Sequence, residues 1–250
     1  MNAIPAPVHD QTSEEVRFVE SKPDSETLPD HLLAQAIGPG GRLVETFRVL
    51  RAKLEAIDER RGLRAIGVVA AGAGEGTTFA AVGLATALAR EGARRVLLVE
   101  ATLRRPTLEA RLGLPCSSGL SDWLSGDGSE PVPIRRIGAL GISLLSGGTA
   151  SPEPAPLLES SGLKSLLRSA RREFDFVVLD CPPLSRFADA VLIQDLVDGF
   201  ALVVRSRLTP AEQILRAVSQ LKPDRVQGVI LNDLREILTR TLPRNLPRGS

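Results

Sequence analysis

The 250-residue chain has a net charge of +1 and 43% hydrophobic content, enough for one sizeable core and without the charge excess that would call for nucleic acid. No apolar run reaches the roughly 18 residues that a membrane-spanning helix needs. The polar, acidic N-terminus does not read as a signal peptide. Cys116 and Cys181 lie far apart and form neither a metal-ligand spacing nor a disulfide framework, which fits a reducing cytoplasm.

Residues 1–30 are polar, with scattered prolines and acids and no sustained period, and are expected to be a disordered arm. Leu43, Phe47, Leu50 and Leu54 recur at three-to-four spacing between Gly40-Gly41 and Gly62. That spacing predicts an amphipathic helix over 42–60. Short apolar runs then predict strands at 65–71, 95–99, 142–145, 175–180, 199–204 and 226–231. Their Val, Ile and Leu content without polar alternation marks strands buried on both faces. Helical patterns fall at 78–90, 163–172, 188–196 and 211–221, and 146–160 reads as a loop rich in Gly, Ser and Pro. The alternation implies an α/β fold, a three-layer sandwich with a mainly parallel central sheet and its ligand site at the carboxyl ends of the strands. One domain is expected over 31–239, with a basic tail over 240–250.

The strand at 65–71 runs into Gly72-Ala73-Gly74-Glu75-Gly76-Thr77-Thr78, and a helix begins at once. Glycines let successive backbone N–H groups point inward, and the helix N-terminus adds its positive dipole end. A tight strand-to-helix turn also needs glycine, but strand before and helix after together predict a P-loop. The usual pattern is G-x-x-x-x-G-K-[ST]. Here Gly76 takes the last glycine, Thr78 supplies the Mg²⁺-binding hydroxyl, and Thr77 stands where lysine belongs. A hydrogen bond to a charged group contributes about 1.5–3 kcal/mol, so its loss weakens nucleotide binding about 10- to 150-fold. Phosphoryl transfer suffers more, because its transition state must be stabilised by charge at the γ-phosphate. The lysines of the chain, Lys22, Lys53, Lys164 and Lys222, all lie outside the loop.

The next strand ends in Val96-Leu97-Leu98-Val99-Glu100-Ala101-Thr102-Leu103-Arg104-Arg105-Pro106, and a later one in Phe176-Val177-Val178-Leu179-Asp180-Cys181-Pro182-Pro183. With the loop, these resemble the bacterial tyrosine kinases (BY-kinases) of capsule and exopolysaccharide synthesis, part of the MinD/ParA-like deviant P-loop class. The resemblance spans about 42–233. Glu45, Arg48 and Arg51 look like the family's E-x-x-R-x-x-R motif, which implies ring assembly. Gly119-Leu120-Ser121-Asp122-Trp123-Leu124 resembles its GL-x-D-x-L segment. Asp189 and Asp198-Gly199 resemble a later stretch. Val229-Ile230-Leu231-Asn232 resembles a strand end whose Asn contacts adenine. The resemblance implies nucleotide contacts at Gly72, Gly74, Glu75, Gly76, Thr77, Thr78 and Asn232, with Mg²⁺ at Thr78 and Asp180.

The family's first acidic strand end is usually D-A-D, whose carboxylates serve Mg²⁺ and the attacking hydroxyl. This chain has Glu100-Ala101-Thr102 instead, and it has no tyrosine to modify. Thr77, Glu100 and Thr102 are therefore degenerate positions, and binding of ATP, ADP and Mg²⁺ is expected to be weak or absent. The leading reading is a pseudokinase that regulates or scaffolds a membrane-spanning polysaccharide co-polymerase of the Wzz/Wzc chain-length-determinant type, with a homo-oligomeric ring in view and no nucleic acid. Its place would be cytoplasmic, held peripherally at the inner membrane by that partner. Two alternatives stay open: an active kinase or ATPase with an arginine replacing the lysine, and a MinD/ParA-type positioning ATPase. Glu45, Arg48 and Arg51 also suit a solvated helix face with local ion pairs. Arg104 and Arg105 suit surface charge as well as anion or partner binding. Trp123 and Cys181 are expected to pack, and His9 and His31 lie outside the motifs.

Overall fold

The computed structural model describes residues 16–21, 43–92 and 94–232. The strands are β1 (Phe18–Ser21), β2 (Ala65–Ala70), β3 (Val96–Glu100), β4 (Val132–Ile137), β5 (Ile142–Leu145), β6 (Phe176–Asp180), β7 (Gly199–Arg205) and β8 (Val226–Asn232). The helices are α1 (Val44–Arg61), α2 (Thr77–Gly92), α3 (Leu108–Leu112), α4 (Leu120–Ser125), α5 (Ala155–Leu158), α6 (Ser161–Glu173), α7 (Asp189–Leu192) and α8 (Ala211–Val218). The strands form one sheet in the order β1-β4-β5-β3-β6-β2-β7-β8. Every pairing is parallel except β4 with β5.

The expected three-layer sandwich is present. β2, β3 and β6 are buried along their whole lengths. Successive side chains point to opposite faces, so Ile66, Val68, Leu98 and Val178 join the core under α1 and α2. Val69, Leu97, Val99 and Val177 join the core under α4 through α8. Close approach is bought with small residues. A Cβ on Gly67 would overlap the Phe200 ring of neighbouring β7, and one on Gly83 would overlap the Phe47 ring that docks α1 on α2.

Several expectations need correction. The arm predicted to be disordered contributes β1, which pairs in parallel with β4. The Phe18 ring meets Phe174 edge-on, with centroids 5.7 Å apart, and the Glu20 carboxylate accepts the Ser143 hydroxyl at 2.6 Å. These long-range contacts hold a segment whose local sequence has no strand period. Residues 1–15 and 22–30 of the arm, and the tail over 240–250, lie outside the described residues. β4 is a strand the sequence reading missed. The helix predicted at 188–196 is only the short α7, the one at 211–221 stops at Val218, and the loop at 146–160 contains α5.

Candidate nucleotide site

The phosphate loop follows β2 at the carboxyl end of the sheet. Gly74 and Gly76 adopt φ of +76° and +93°, backbone that a side chain resists. The loop then enters α2, where the Ala80 N–H donates to the Gly76 carbonyl at 2.9 Å.

Side chains of the last strand–helix–strand unit press on this loop. Asn232, ending β8, donates its side-chain N–H to the Glu75 carbonyl at 2.8 Å. It occupies the space a Cβ on Gly76 would need, and Gln213 of α8 does the same at Gly72. The buried Glu75 carboxylate accepts the Thr209 hydroxyl at 2.7 Å through one oxygen, while the other has no hydrogen-bond partner. Glu75, which the resemblance assigns to the nucleotide, therefore turns its side chain toward the β7–α8 turn. That turn includes Arg207 at φ 61°, the one positive-φ non-glycine residue among those described. The sequence reading did not single out Thr209 or Gln213, because their approach to the loop spans more than a hundred residues and leaves no local pattern.

Across the loop stand the ends of β3 and β6. Glu100 and Asp180 are in register on neighbouring strands and both are almost wholly buried. Burial pushes the Asp180 carboxyl up to about 7. The Thr78 hydroxyl opposes that rise by hydrogen-bonding the carboxylate, Glu100 adds to it by like charge, and Arg111 opposes it. Burial also raises the Glu100 carboxyl. Glu100 accepts backbone N–H groups from Thr107 at 2.6 Å, Leu108 at 2.9 Å and Gly147 at 3.0 Å. It thus ties α3 and the loop after β5 to the end of β3, which is structural work. The Thr102 hydroxyl makes a 3.4 Å contact to the Asp180 carbonyl.

The remaining motif residues divide between braces and surface. Arg104 is a brace: it pairs with buried Asp189 at 3.2 Å, donates to the Pro152 carbonyl at 2.6 Å and lies over the Phe187 ring at 4.5 Å. Arg105 is exposed. Asp198 accepts the N–H groups of Arg64 and Ala65 at 2.7 Å and pairs with Arg171. Asp122 accepts N–H groups of Gly119 and Thr149. Trp123 packs as expected and donates to the Glu130 carbonyl at 2.7 Å, and Cys181 is buried. Glu45 and Arg48 pair with each other on the surface of α1, and Arg51 pairs with Glu55. These three stand apart from the nucleotide-site cluster.

The glycine cradle, and the Thr78 hydroxyl beside the Asp180 carboxylate, fit a phosphate ester and an oxygen-preferring divalent ion. Among the described residues no group of three His, Cys, Asp or Glu side chains is placed to hold a metal, so such an ion would depend on Thr78 and Asp180 together with water and phosphate oxygens. The cationic side of the fit is missing from the loop. Lys53 and Lys164 occupy exposed positions on α1 and α6, and Lys222 pairs with Asp195 at 2.7 Å.

No family model matches the chain. Tyrosine-protein kinase YwqD of Bacillus subtilis is 31% identical over 190 residues, covering 75% of this chain and 80% of that protein. Succinoglycan biosynthesis transport protein ExoP of Rhizobium meliloti is 30% identical over 222 residues, which is 85% of this chain but 28% of the larger relative. Among solved structures, the kinase domain of Escherichia coli tyrosine kinase ETK superposes with a TM-score of 0.75 at 25% identity, covering 92% of this chain and 86% of that one. With the phosphate loop, the acidic strand ends and the sheet all in place, and a tyrosine-kinase relative matched over most of both lengths, the chain belongs to the BY-kinase family.

Proposed function

We propose that this protein is a catalytically impaired BY-kinase of exopolysaccharide biosynthesis and export, acting as a regulator or scaffold of a membrane-spanning polysaccharide co-polymerase. The observation that carries the reading is the state of the charged groups. Thr77 brings no cation to the loop, Thr102 brings no carboxylate to β3, and Glu100 is committed to three backbone N–H groups.

In this reading the loop amides of 72–78 and the start of α2 hold the phosphates, and Thr78 with Asp180 would hold Mg²⁺. A bound Mg²⁺ neutralises charge on the phosphate oxygens. Neither Thr102 nor Glu100 is free to take a proton from an attacking hydroxyl. The 250 residues also offer no tyrosine as an acceptor. Nucleotide then serves as a weak ligand rather than a substrate.

The partner and pathway are supported by the company the family keeps: one relative is named for succinoglycan biosynthesis and transport. Among the described residues no helix is long and apolar enough to cross a membrane, and in this reading the chain is held on the cytoplasmic side of the inner membrane by its partner. Ring assembly through Glu45, Arg48 and Arg51 belongs to the same proposal. Glu45 keeps 71% and Arg48 47% of their side chains exposed, next to Val49 at 50%.

The test restores the missing charges. Thr77→Lys combined with Thr102→Asp should strengthen Mg·ATP binding, read by calorimetry, by about tenfold or more, the range expected of one charged hydrogen bond. A double variant that gains neither binding nor hydrolysis would count against decay of a kinase site.

A further inference from the structure

We propose that a polar cavity between α3 and the strands β1, β4 and β5 is a second binding site, for a neutral polyhydroxylated ligand the size of one hexose. The cavity measures about 280 Å³. Small-molecule sites span about 300–1,000 Å³, so its size suits a single ring rather than a whole nucleotide. One side is set by the sheet: Ser21 of β1, Arg135 of β4 and Leu144 of β5 stand in register in one row, and each lines the cavity. The other side is α3 and the segment after it, which bring Glu109, Ser117 and Ser118. These walls are held in place by a group already described. Glu100 accepts the N–H of Leu108, next to Glu109, and that of Gly147, next to the cavity-lining Ser146. One carboxylate thus fixes both sides against the end of β3, and a pre-built site binds with little ordering cost.

The lining chemistry selects the ligand class. Glu109 is only 8% exposed, and its two oxygens accept the Ser117 hydroxyl at 2.6 Å and the Ser117 N–H at 3.1 Å. Each carboxylate oxygen keeps a second lone pair for a further donor. The Arg135 guanidinium stands 3.7 Å from the same carboxylate and donates to the Pro115 carbonyl. One negative and one positive group balance, so the cavity favours neither an anion nor a cation. It offers a carboxylate that only accepts, a guanidinium that only donates and serine hydroxyls that do both. A ligand hydroxyl answers all three, because it donates and accepts. Pro133 and Leu144 add apolar surface for the C–H face of a ring. The site lies apart from Thr78 and Asp180, so it stands or falls separately from the impaired-kinase reading.

Saturation-transfer NMR on the full chain tests it, with D-glucose, D-galactose and D-mannose as neutral probes and glucuronate and glucosamine as charged counterparts. At least one neutral hexose should bind, more tightly than either charged sugar, and saturating Mg·ATP should not displace it. Ser118→Trp fills the cavity from an exposed position and should abolish binding. Glu109→Gln keeps the shape, removes the charge and should weaken binding about tenfold or more. Circular dichroism establishes that each variant is folded, and Glu109→Gln decides the matter if Ser118→Trp is not. No binding of any neutral hexose by the wild type, preference for a charged sugar, displacement by Mg·ATP, or wild-type affinity in either folded variant would each overturn the assignment.

Discussion

At the scale of single residues, Asp180 and Glu100 are buried carboxylates in register on neighbouring strands, and Glu100 is tied to three backbone N–H groups. Asp180 rises from 3.8 to about 7, chiefly through burial. The folded protein therefore binds a proton that the unfolded chain releases, and stability falls as pH climbs from about 4 to about 7 before levelling off. Asp180→Asn keeps the shape and removes the charge. Its melting temperature in EDTA should exceed the wild type's by more at pH 8 than at pH 5, with a free-energy difference of at most about 4 kcal/mol. An offset that does not change with pH would mean that this carboxyl is not the source. Thr77, Thr102 and Asp180 were legible in the sequence because a motif fixes their spacing. The commitment of Glu100 was not, since its third donor, Gly147, arrives from 47 residues away.

At the scale of elements, α1 shows packing overriding propensity. The helix is anchored by Phe47 and Leu54, and Phe47 sits on Gly83 in the middle of α2. Glycine inside a helix costs about 1 kcal/mol relative to alanine. On propensity alone Gly83→Ala would stabilise the protein. Because the new methyl would overlap the Phe47 ring, we expect a net loss of about 1–3 kcal/mol, partly recovered by adding Phe47→Leu. Thermal unfolding decides the matter, and a rise in melting temperature for Gly83→Ala would contradict the packing account. The apolar face of α1 was readable from its three-to-four spacing, and β2, β3 and β6 from unbroken apolar runs. β4 was harder: Val132 and Ile134 alternate with Pro133 and Arg135, but proline and paired arginines mask a six-residue strand. β1 carries no period of its own and owes its form to β4, Phe174 and Ser143.

At the scale of the whole molecule, the two edges of the sheet differ. β1 covers β4, whose outer hydrogen-bonding groups would otherwise face solvent. Removing residues 1–21 should expose that edge and produce self-association that grows with concentration, measurable by light scattering. A truncated chain that stays monodisperse at the same stability would show that β1 protects nothing. The opposite edge is β8, where Val229 and Leu231 are 55% and 73% exposed. This border strand also carries the Asn232 amide that hooks the middle of the phosphate loop. Mechanically, β8 is a lever with its short arm inside the nucleotide cleft. An outward displacement of β8 would carry the Asn232 amide away from the Glu75 carbonyl, so the position of this border strand and the shape of the phosphate loop are joined through one hydrogen bond.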